Sequence, residues 1–244
     1  MDVKNFAVAM HQSQYLPWLG YLEKIDFADT FVIVDNVQLK KTEWQTRNRI
    51  KTSLGWQWLT LPVAGKFPIN IENARVLRKS FWLNKHLRKI KHHYQKSAHF
   101  SKYFTEFSDV LKEAPENLSD FNVFVLKWLM SAYGIKTPIV FSKEFSTSTH
   151  PTRRLIDLCE RLNANIFLVG SGGTSYIDSD MFNYNSNVAL RIQRYKHPTY
   201  KQAKSKSEFM SHMSSLDLLF NEGKNSLEIL RSGRNWEIYP GSIR

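Results

Sequence analysis

The sequence predicts an α/β fold, a three-layer sandwich around a mainly parallel sheet with a helical insertion. The first observation is a short apolar run at Phe6–Met10, a helical pattern, and a second apolar run at Thr30–Asp35. Strand, helix and strand within about thirty residues form a βαβ unit, which requires a parallel pair. The second observation is that short apolar runs and helical stretches alternate again after residue 138. The third is that the basic segment 75–134 has a mainly helical pattern.

The elements follow from spacing and from capping residues. Pro17 suits the first position of a helix whose apolar face contains Leu19, Leu22 and Ile25. A strand is predicted over Trp56–Val63, ended by a proline and a glycine. The remaining predictions are helices at 80–112 and 119–133 with Gly134 as C-cap, a strand at 138–141, a helix at 152–162 capped by Thr152, strands at 166–169 and 188–194, and the start of a final helix at 214–220.

Length and charge set the class of protein. The 244 residues suit one domain, 1–244, and 42% of them are hydrophobic, which is enough for a full core. The net charge is +12, and the span 75–102 holds nine Lys or Arg and no acid. Leu83, Leu87 and Ile90 recur there at helical spacing, so the charges decorate an amphipathic helix. Such a helix either faces solvent or contacts an anionic partner, which would be a nucleic acid, a membrane surface or a phosphorylated substrate.

The compartment is predicted from what the chain does not contain. Cys159 is the only cysteine, which excludes an intramolecular disulfide and suggests a packed thiol. The N-terminus lacks the pattern of a signal peptide, and no apolar run reaches the roughly 18 residues of a membrane span. We therefore expect a cytoplasmic protein without an integral membrane segment.

The loop His11–Leu16 follows the first predicted strand and is the first candidate site. In open parallel sheets, ligands bind at the carboxyl ends of the strands, where a helix N-terminus also attracts anions. His11 can hydrogen-bond a phosphate or carry charge near one, and the amides of Gln12 and Gln14 can orient a ligand. We predict catalytic roles for His11 and Gln14 and ligand contacts for Gln12 and Tyr15. The alternative is that the histidine is structural.

The second candidate site is the segment 35–52, which interleaves cations, amides and a tryptophan. Arginine binds phosphate or carboxylate through two parallel hydrogen bonds, and lysine adds a mobile charge. Arg47 and Arg49 lie on one side of an extended chain because they are two residues apart. The alternative is a solvated basic loop. The predicted roles are catalytic for Lys41 and Arg47, and ligand-binding for Asp35, Gln38, Trp44, Asn48 and Arg49.

The third candidate site is the glycine-rich segment 168–178. Its glycines allow close backbone approach, and successive amides can hold an anion, although such loops also make ordinary turns. His197, which Pro198 keeps extended, is either a site residue or a loop residue. We predict ligand contacts from Gly170, Ser171, Gly172, Gly173, Tyr176, Asp178 and His197.

Several enzyme classes are excluded by their missing motifs. No Gly-Lys-Ser/Thr follows the glycines, so the segment is not a phosphate loop of the Walker type. The chain also lacks HExxH, the Gly-x-Ser-x-Gly elbow and a cysteine-rich zinc site. We predict no metal ligand among its residues.

Taken together, these motifs resemble those of the WbqC-like protein family. The N-terminal blocks are HQSQYLPWLGYLEKI, FVIVDNVQLKKTEWQTRNRIKT and WLTLPV, and the C-terminal blocks are LIDLCERL, FLVGSGGTSYID, HPTYKQ and SSLDLLFNEG. They cover about 8–63 and 152–223, whereas 64–150 is only loosely similar. Ser13 replaces the usual proline of HQPQYLPW, which loosens the loop but leaves His11 and Gln14 in place.

The resemblance implies a cytoplasmic enzyme of bacterial surface-polysaccharide biosynthesis, such as that of O-antigen, acting on nucleotide sugars or glycans. The implied reaction is transfer of an acyl or aminoacyl group, such as glycyl, to the amine of a nucleotide-linked amino sugar. The alternatives are a nucleotidylyltransferase or glycosyltransferase of the same pathway, and an RNA-binding protein that uses the basic surface. The expected partner is that sugar or another anionic small molecule, and tRNA is a further candidate partner.

The order of strand, polar loop, Pro-x-x-Gly-Tyr-Leu and helix is also similar to nucleotidylyltransferase-like (HUP) folds, such as pantothenate synthetase. Their paired histidines are absent, because Tyr21 follows Gly20 where the second histidine would stand. This distant likeness implies ATP as a candidate cofactor, with Mg²⁺ beside its phosphates. His11 and cations of the segment 40–51 would then stabilise charge at the α-phosphate.

Overall fold

A six-stranded sheet forms the centre of the protein in a computed structural model, which describes residues 5–40, 42–175, 177–203 and 208–239. The strands are β1 Ala7–His11, β2 Thr30–Ile33, β3 Arg47–Thr52, β4 Gly55–Thr60, β5 Val63–Ala64, β6 Arg75–Val76, β7 Ile139–Phe141, β8 Ile166–Gly170, β9 Ala189–Gln193 and β10 Trp236–Ile238. The α-helices are α1 Leu19–Phe27, α2 Leu83–Tyr94, α3 Phe100–Glu113, α4 Leu118–Tyr133, α5 Pro151–Arg161, α6 Ser179–Asn185, α7 Ser215–Glu222 and α8 Ser226–Ser232.

The strand order is β10-β9-β8-β1-β2-β7, and every pair is parallel except β10 with β9. Strand β1 therefore lies between β2, which follows it through α1, and β8, which comes much later in the chain. The chain winds to one side of β1 and then to the other. Such a reversal opens a crevice at the carboxyl ends of the two strands.

Helices cover both faces of the sheet, which confirms the predicted three-layer α/β fold. Alternate residues of each strand face opposite layers, so Val8 packs with the α5 side while Ala9 packs with the α1 side. The helices α2–α4 lie between β6 and β7 in the chain and share the core of the α1 side. Among the described residues, no helix has the length and apolar character that crossing a bilayer needs.

The predicted helix at 80–112 is two helices, α2 and α3, separated by residues 95–99. The break lets Tyr94 and Phe100 both pack on Phe220 of α7, with ring centroids 5.4 and 5.2 Å away. The backbone N–H of His99 also donates to the Phe220 carbonyl at 2.9 Å. Tertiary packing therefore ends a pattern that looks continuous in the sequence.

The ends of three further elements differ from prediction. Helix α1 begins at Leu19 rather than Pro17, because Trp18 is still extended. Helix α5 is capped by the His150 side chain, and Thr152 instead accepts a hydrogen bond from the backbone of Asp178. The predicted final helix is followed by a second helix, α8, and the antiparallel strand β10.

The predicted strand at 56–63 is the second strand of a hairpin. Strands β3 and β4 pair antiparallel over their whole length, with Arg49 opposite Trp58 and Lys51 opposite Trp56. Gly55 has a φ of +144°, a conformation that side chains rarely adopt, and it follows the two turn residues. The arginines of the segment 35–52 therefore lie on a strand, as their spacing predicted.

Candidate functional site

A cavity of about 910 Å³ opens at the carboxyl ends of the parallel strands. Its walls include the last residues of β1, β8 and β9, which are His11, Gly170 and Gln193, and Val34 just after β2. The cavity thus occupies the crevice at which the strand order reverses, which is where ligands bind in open α/β sheets. This makes it the candidate functional site.

The loop between β1 and α1 is held in place through its backbone. The Asp35 carboxylate accepts from the Ser13 N–H at 2.9 Å and from the Ser119 hydroxyl at 2.5 Å. Asn48 donates from Nδ2 to the Leu16 carbonyl at 2.6 Å. Because these buried side chains take up the polar backbone groups, the loop keeps one shape and presents its other side chains to the cavity.

His11 is neutral in the cavity wall. Burial, together with the charge of Lys24, lowers the pKa of His11 to about 3. Its Nδ1 lies 3.0 Å from the Gln12 carbonyl, and a carbonyl only accepts, so Nδ1 carries the hydrogen and Nε2 is left as an acceptor. In this form His11 suits an N–H or O–H donor of a ligand, whereas the sequence suggested a contact with phosphate.

Lys24, which the sequence reasoning missed, is the most unusual group of the cavity. Its side chain is only 3% exposed and lines the cavity, with Nζ 5.9 Å from the centre of the Tyr21 ring. Among the described residues, no hydrogen bond or ion pair to Nζ is formed. Burial lowers the pKa of Lys24 to about 7, although the nearby Glu23 opposes that shift. A buried amine without a partner is expensive unless a ligand accepts from it.

Further cations surround the same cavity. Lys40, Arg154 and Arg194 line it, whereas Glu43 is the one carboxylate among its described lining residues. Arg194 pairs with Glu237 at 2.9 Å on the surface, but the buried Nε of Arg154 has no hydrogen-bond partner among the described residues. The cavity therefore carries a positive potential that favours an anionic ligand.

Two amide side chains of the cavity lining also have buried acceptor oxygens without a partner among the described residues. Gln14 is 5% exposed, and its Oε1 has no hydrogen-bond partner among the described residues; the same is true of the buried Oε1 of Gln45. Both residues line the cavity. Buried polar atoms are nearly always bonded in folded proteins, so these amides are suited to a ligand with hydroxyl or amine donors.

The glycine-rich loop after β8 forms another wall of the cavity. Gly170 ends β8, and a Cβ placed there would lie 3.9 Å from Lys24 Nζ, so this backbone runs close to the amine. A Cβ at Gly172 would meet no atom within 4 Å, which leaves open space above the loop. Residues 171–175 form a short 3-10 turn. The loop can thus accept a bulky group over the lysine.

The cavity brings together eight of the predicted site residues. They come from three separate parts of the chain, and the eight are His11, Gln12, Gln14, Trp44, Gly170, Ser171, Gly172 and Gly173. Lys41 and Tyr176, which were also predicted, lie outside the described residues.

The other predicted residues lie elsewhere. Tyr15 is fully buried against His86 and Phe121, so it belongs to the core. Asp35 and Asn48 bind backbone groups beneath the loop, as described above. Asp178 caps α6 by accepting from the Met181 N–H. Sequence reasoning placed these polar groups in the site because it could not distinguish a ligand contact from a backbone contact.

Four predicted residues lie outside the lining of the cavity. Gln38 is exposed and its backbone bridges to that of Asn70. Arg47 and Arg49 stack on tryptophans on the outer face of the β3–β4 hairpin. His197 lies among aromatic rings, and burial lowers its pKa to about 4.

The comparison with known proteins agrees with these motifs. A family model described as "WbqC-like protein family" matches residues 12–229, which includes all walls of the cavity except His11 and Met10. The chain belongs to the WbqC-like protein family. This WbqC-like chain is also similar to the "Uncharacterized protein Rv1507c" of Mycobacterium tuberculosis, with 34% identity over 228 residues. The match covers 92% of this chain and 97% of the relative.

Proposed function

We propose that this WbqC-like protein is an enzyme of bacterial surface-polysaccharide biosynthesis that acylates the amine of a nucleotide-linked amino sugar. The transferred group is an acyl or aminoacyl group, such as glycyl. The observation that carries the proposal is Lys24, whose side chain is buried and forms no hydrogen bond or ion pair with the described residues. Lys40 and Arg154, which line the same cavity, form no ion pair with the described residues either. A diphosphate supplies the negative charge that this arrangement favours.

The anionic part of the sugar nucleotide would lie between Lys24, Arg154 and the loop of Gly170 and Gly172. Arginine holds a phosphate through two parallel hydrogen bonds, and the buried lysine adds a charge that water screens poorly. Charge on the phosphate would in turn raise the pKa of Lys24 above 7 and keep it protonated. Binding would then be coupled to uptake of a proton.

The amine of the sugar would lie at His11. Because Nδ1 of His11 carries the hydrogen, Nε2 can accept an N–H of the amine and orient its lone pair toward the acyl carbon. The free carbonyl oxygens of Gln14 and Gln45 can accept from sugar hydroxyls. His11, Gln14 and Gln45 would position the sugar. As the amide C–N bond forms, the bond between the acyl carbon and its leaving group (phosphate, AMP or the tRNA hydroxyl) breaks, and the proton of the amine goes to that leaving group or to solvent.

We propose that ATP activates the acyl donor and binds in the same cavity. The lining residues fit ATP, since the cations and the open glycine loop would hold its phosphates just as well. When the donor is a free acid, ATP would activate its carboxylate by transfer of a phosphoryl or adenylyl group, which would leave as phosphate or AMP when the amide forms. Mg²⁺ bound with ATP would use phosphate oxygens and at most Glu43, because no group of three His, Cys, Asp or Glu suited to a metal exists among the described residues.

The proposal is tested by incubating the protein with a nucleotide-linked amino sugar, an amino acid, ATP and Mg²⁺, and in parallel with aminoacyl-tRNA. Mass spectrometry should show the sugar heavier by one acyl group, and the Lys24→Met variant should not form this product. Lys85→Met, on the exposed face of α2, is the matched control and should be active. Consumption of the sugar nucleotide without an amide product would point to a nucleotidylyltransferase or glycosyltransferase instead.

A further inference from the structure

The outer face of the β3–β4 hairpin and the preceding Trp44 form a cluster of tryptophans and arginines beside the cavity. We name it the tryptophan–arginine face; its residues are Trp44, Arg47, Arg49, Trp56 and Trp58. The two arginines alternate along β3, and Trp56 and Trp58 alternate along β4, so all four point to one side of the hairpin. The opposite side carries Asn48, Ile50 and Leu59, which are buried in the protein.

The rings and guanidinium groups of this face are in direct contact. The Arg47 guanidinium lies 4.1 Å from the centre of the Trp58 ring, and that of Arg49 lies 5.3 Å from Trp56 and 5.8 Å from Trp44. The Trp58 ring is 5.7 Å from that of Trp44 and 5.3 Å from that of Trp56. Aromatic and planar cationic surfaces therefore alternate across the hairpin.

The charge on this face is not neutralised within the part of the chain that the structure describes. Neither Arg47 nor Arg49 forms an ion pair there, and the buried Nε atom of each has no hydrogen-bond partner. Burial, with the nearby Arg49 charge as the smaller cause, lowers the pKa of His212. Arginines held in this way bind phosphates well because little order is lost on contact.

The face is accessible and adjoins the cavity. Trp56 is 44% exposed, and Leu54 at the hairpin turn is 90% exposed. Trp44 lines the cavity and also contacts Arg49, so one side chain belongs to both surfaces. Trp18, at another wall of the cavity, stacks on His212 at 5.1 Å. A partner on the face would therefore extend to the cavity mouth.

We propose that the tryptophan–arginine face binds single-stranded RNA. Unstacked bases bind on aromatic rings and on arginine planes, and the same arginines neutralise the phosphates between them. A neutral glycan would use the rings but would leave both guanidinium charges without a partner. This proposal does not depend on the proposed acyl transfer, since the cavity and the face consist of different residues apart from Trp44.

The test is fluorescence anisotropy with a labelled twelve-nucleotide RNA of mixed sequence, at several salt concentrations. The double variant Arg47→Gln/Arg49→Gln should weaken binding at least tenfold and reduce the slope of log affinity against log salt by about 1.4, which is about 0.7 for each lost phosphate contact. Trp56→Ala should weaken binding by about five- to a hundredfold.

The matched control removes two charges from the basic helix α2, through Arg88→Gln/Lys91→Gln, both on its exposed side. This control should change affinity less than threefold. A loss as large as that of the hairpin variant would place RNA on α2 and overturn the proposal. Equal affinity for a DNA strand of the same sequence would overturn the assignment to RNA. Arg47→Lys/Arg49→Lys keeps both charges and should still lose affinity, because stacking on the rings is lost.

Discussion

Lys24 combines burial, charge and a missing partner in one side chain. Helix α1 is buried on more than one side, and Lys24 lines the cavity with Gly20 and Tyr21, which precede it by four and three residues on the same face of the helix. Keeping a cation there opposes folding, because the unfolded chain would solvate it fully. Groups of this kind are concentrated at functional sites, where a ligand compensates the cost.

Replacing Lys24 by methionine should therefore change how stability depends on pH. The pKa of Lys24 is near 7 in the folded protein and 10.5 in the unfolded chain, so the unfolded chain binds more protons between these values and stability rises with pH. Relative to Lys24→Met, the wild type should gain about 2 kcal/mol of unfolding free energy between pH 7 and 9. Urea denaturation at both pH values measures the difference. Parallel curves for the two proteins would show that Lys24 is not perturbed.

Ser13 forms hydrogen bonds through both its backbone and its side chain in the loop between β1 and α1. At this position, where the resemblance led us to expect proline, Ser13 donates its backbone N–H to Asp35, a bond that proline cannot make. Its hydroxyl also accepts from Asn122. The looser loop that this serine suggested in the sequence is thus held by two hydrogen bonds.

The loop between β1 and α1 depends on side chains from other elements. Asn48 of β3 is fully buried and binds both the Leu16 carbonyl and the Arg49 N–H. Asn48→Ala should leave these groups unsatisfied and lower the free energy of unfolding by about 2 kcal/mol. It should also weaken ligand binding, because His11 and Gln14 would lose their fixed positions.

Thermal denaturation and ligand titration of Asn48→Ala measure both effects. Asp109→Ala is the control, since among the described residues Asp109 pairs with Lys112 alone and both are more than half exposed. Its stability should stay within about 0.5 kcal/mol of the wild type. An Asn48→Ala protein as stable as this control would mean that the loop is held by other contacts.

Helix α1 is joined to the C-terminal elements by a buried acidic residue. Glu23 is completely buried and accepts hydrogen bonds from Arg234, Trp236 and Gln193. Arg234→Ala would leave this carboxylate without its cation and should destabilise the protein by about 3 kcal/mol. Urea denaturation checks this value, and Arg234→Lys should restore part of it. A loss below about 1 kcal/mol would indicate that Trp236 and Gln193 suffice.

Much of the molecule was predictable because its elements have regular patterns. The strands β1, β2 and β8 are short apolar runs, and their parallel order follows from the helices between them. The loops His11–Leu16 and Gly170–Gly173 were each predicted as a candidate site because each follows a strand of the parallel sheet, at whose carboxyl ends ligands bind. The WbqC-like motifs led to the same loops.

The features of the site that the sequence did not predict depend on contacts between residues far apart in the chain. Lys24 reads as a solvent-facing lysine beside Glu23, and only the position of β8 shows that its amine faces Gly170. Asp35 and Asn48 have side chains typical of a ligand-binding site, but they form hydrogen bonds with backbone groups of the loop instead. The spacing of Tyr21 and Lys24, three residues apart on the buried side of α1, was the available signal.

Isothermal titration of the protein with a nucleotide-linked amino sugar at pH 8, in two buffers of different ionisation enthalpy, tests the role of the cavity most directly. Lys24 is mainly neutral at that pH, so binding of the diphosphate should take up about one proton per ligand. The Lys24→Met variant should bind at least tenfold more weakly and take up none, whereas Lys85→Met should match the wild type. Binding with the same proton uptake in Lys24→Met, or no binding by the wild type at millimolar ligand, would contradict an anionic sugar site at Lys24.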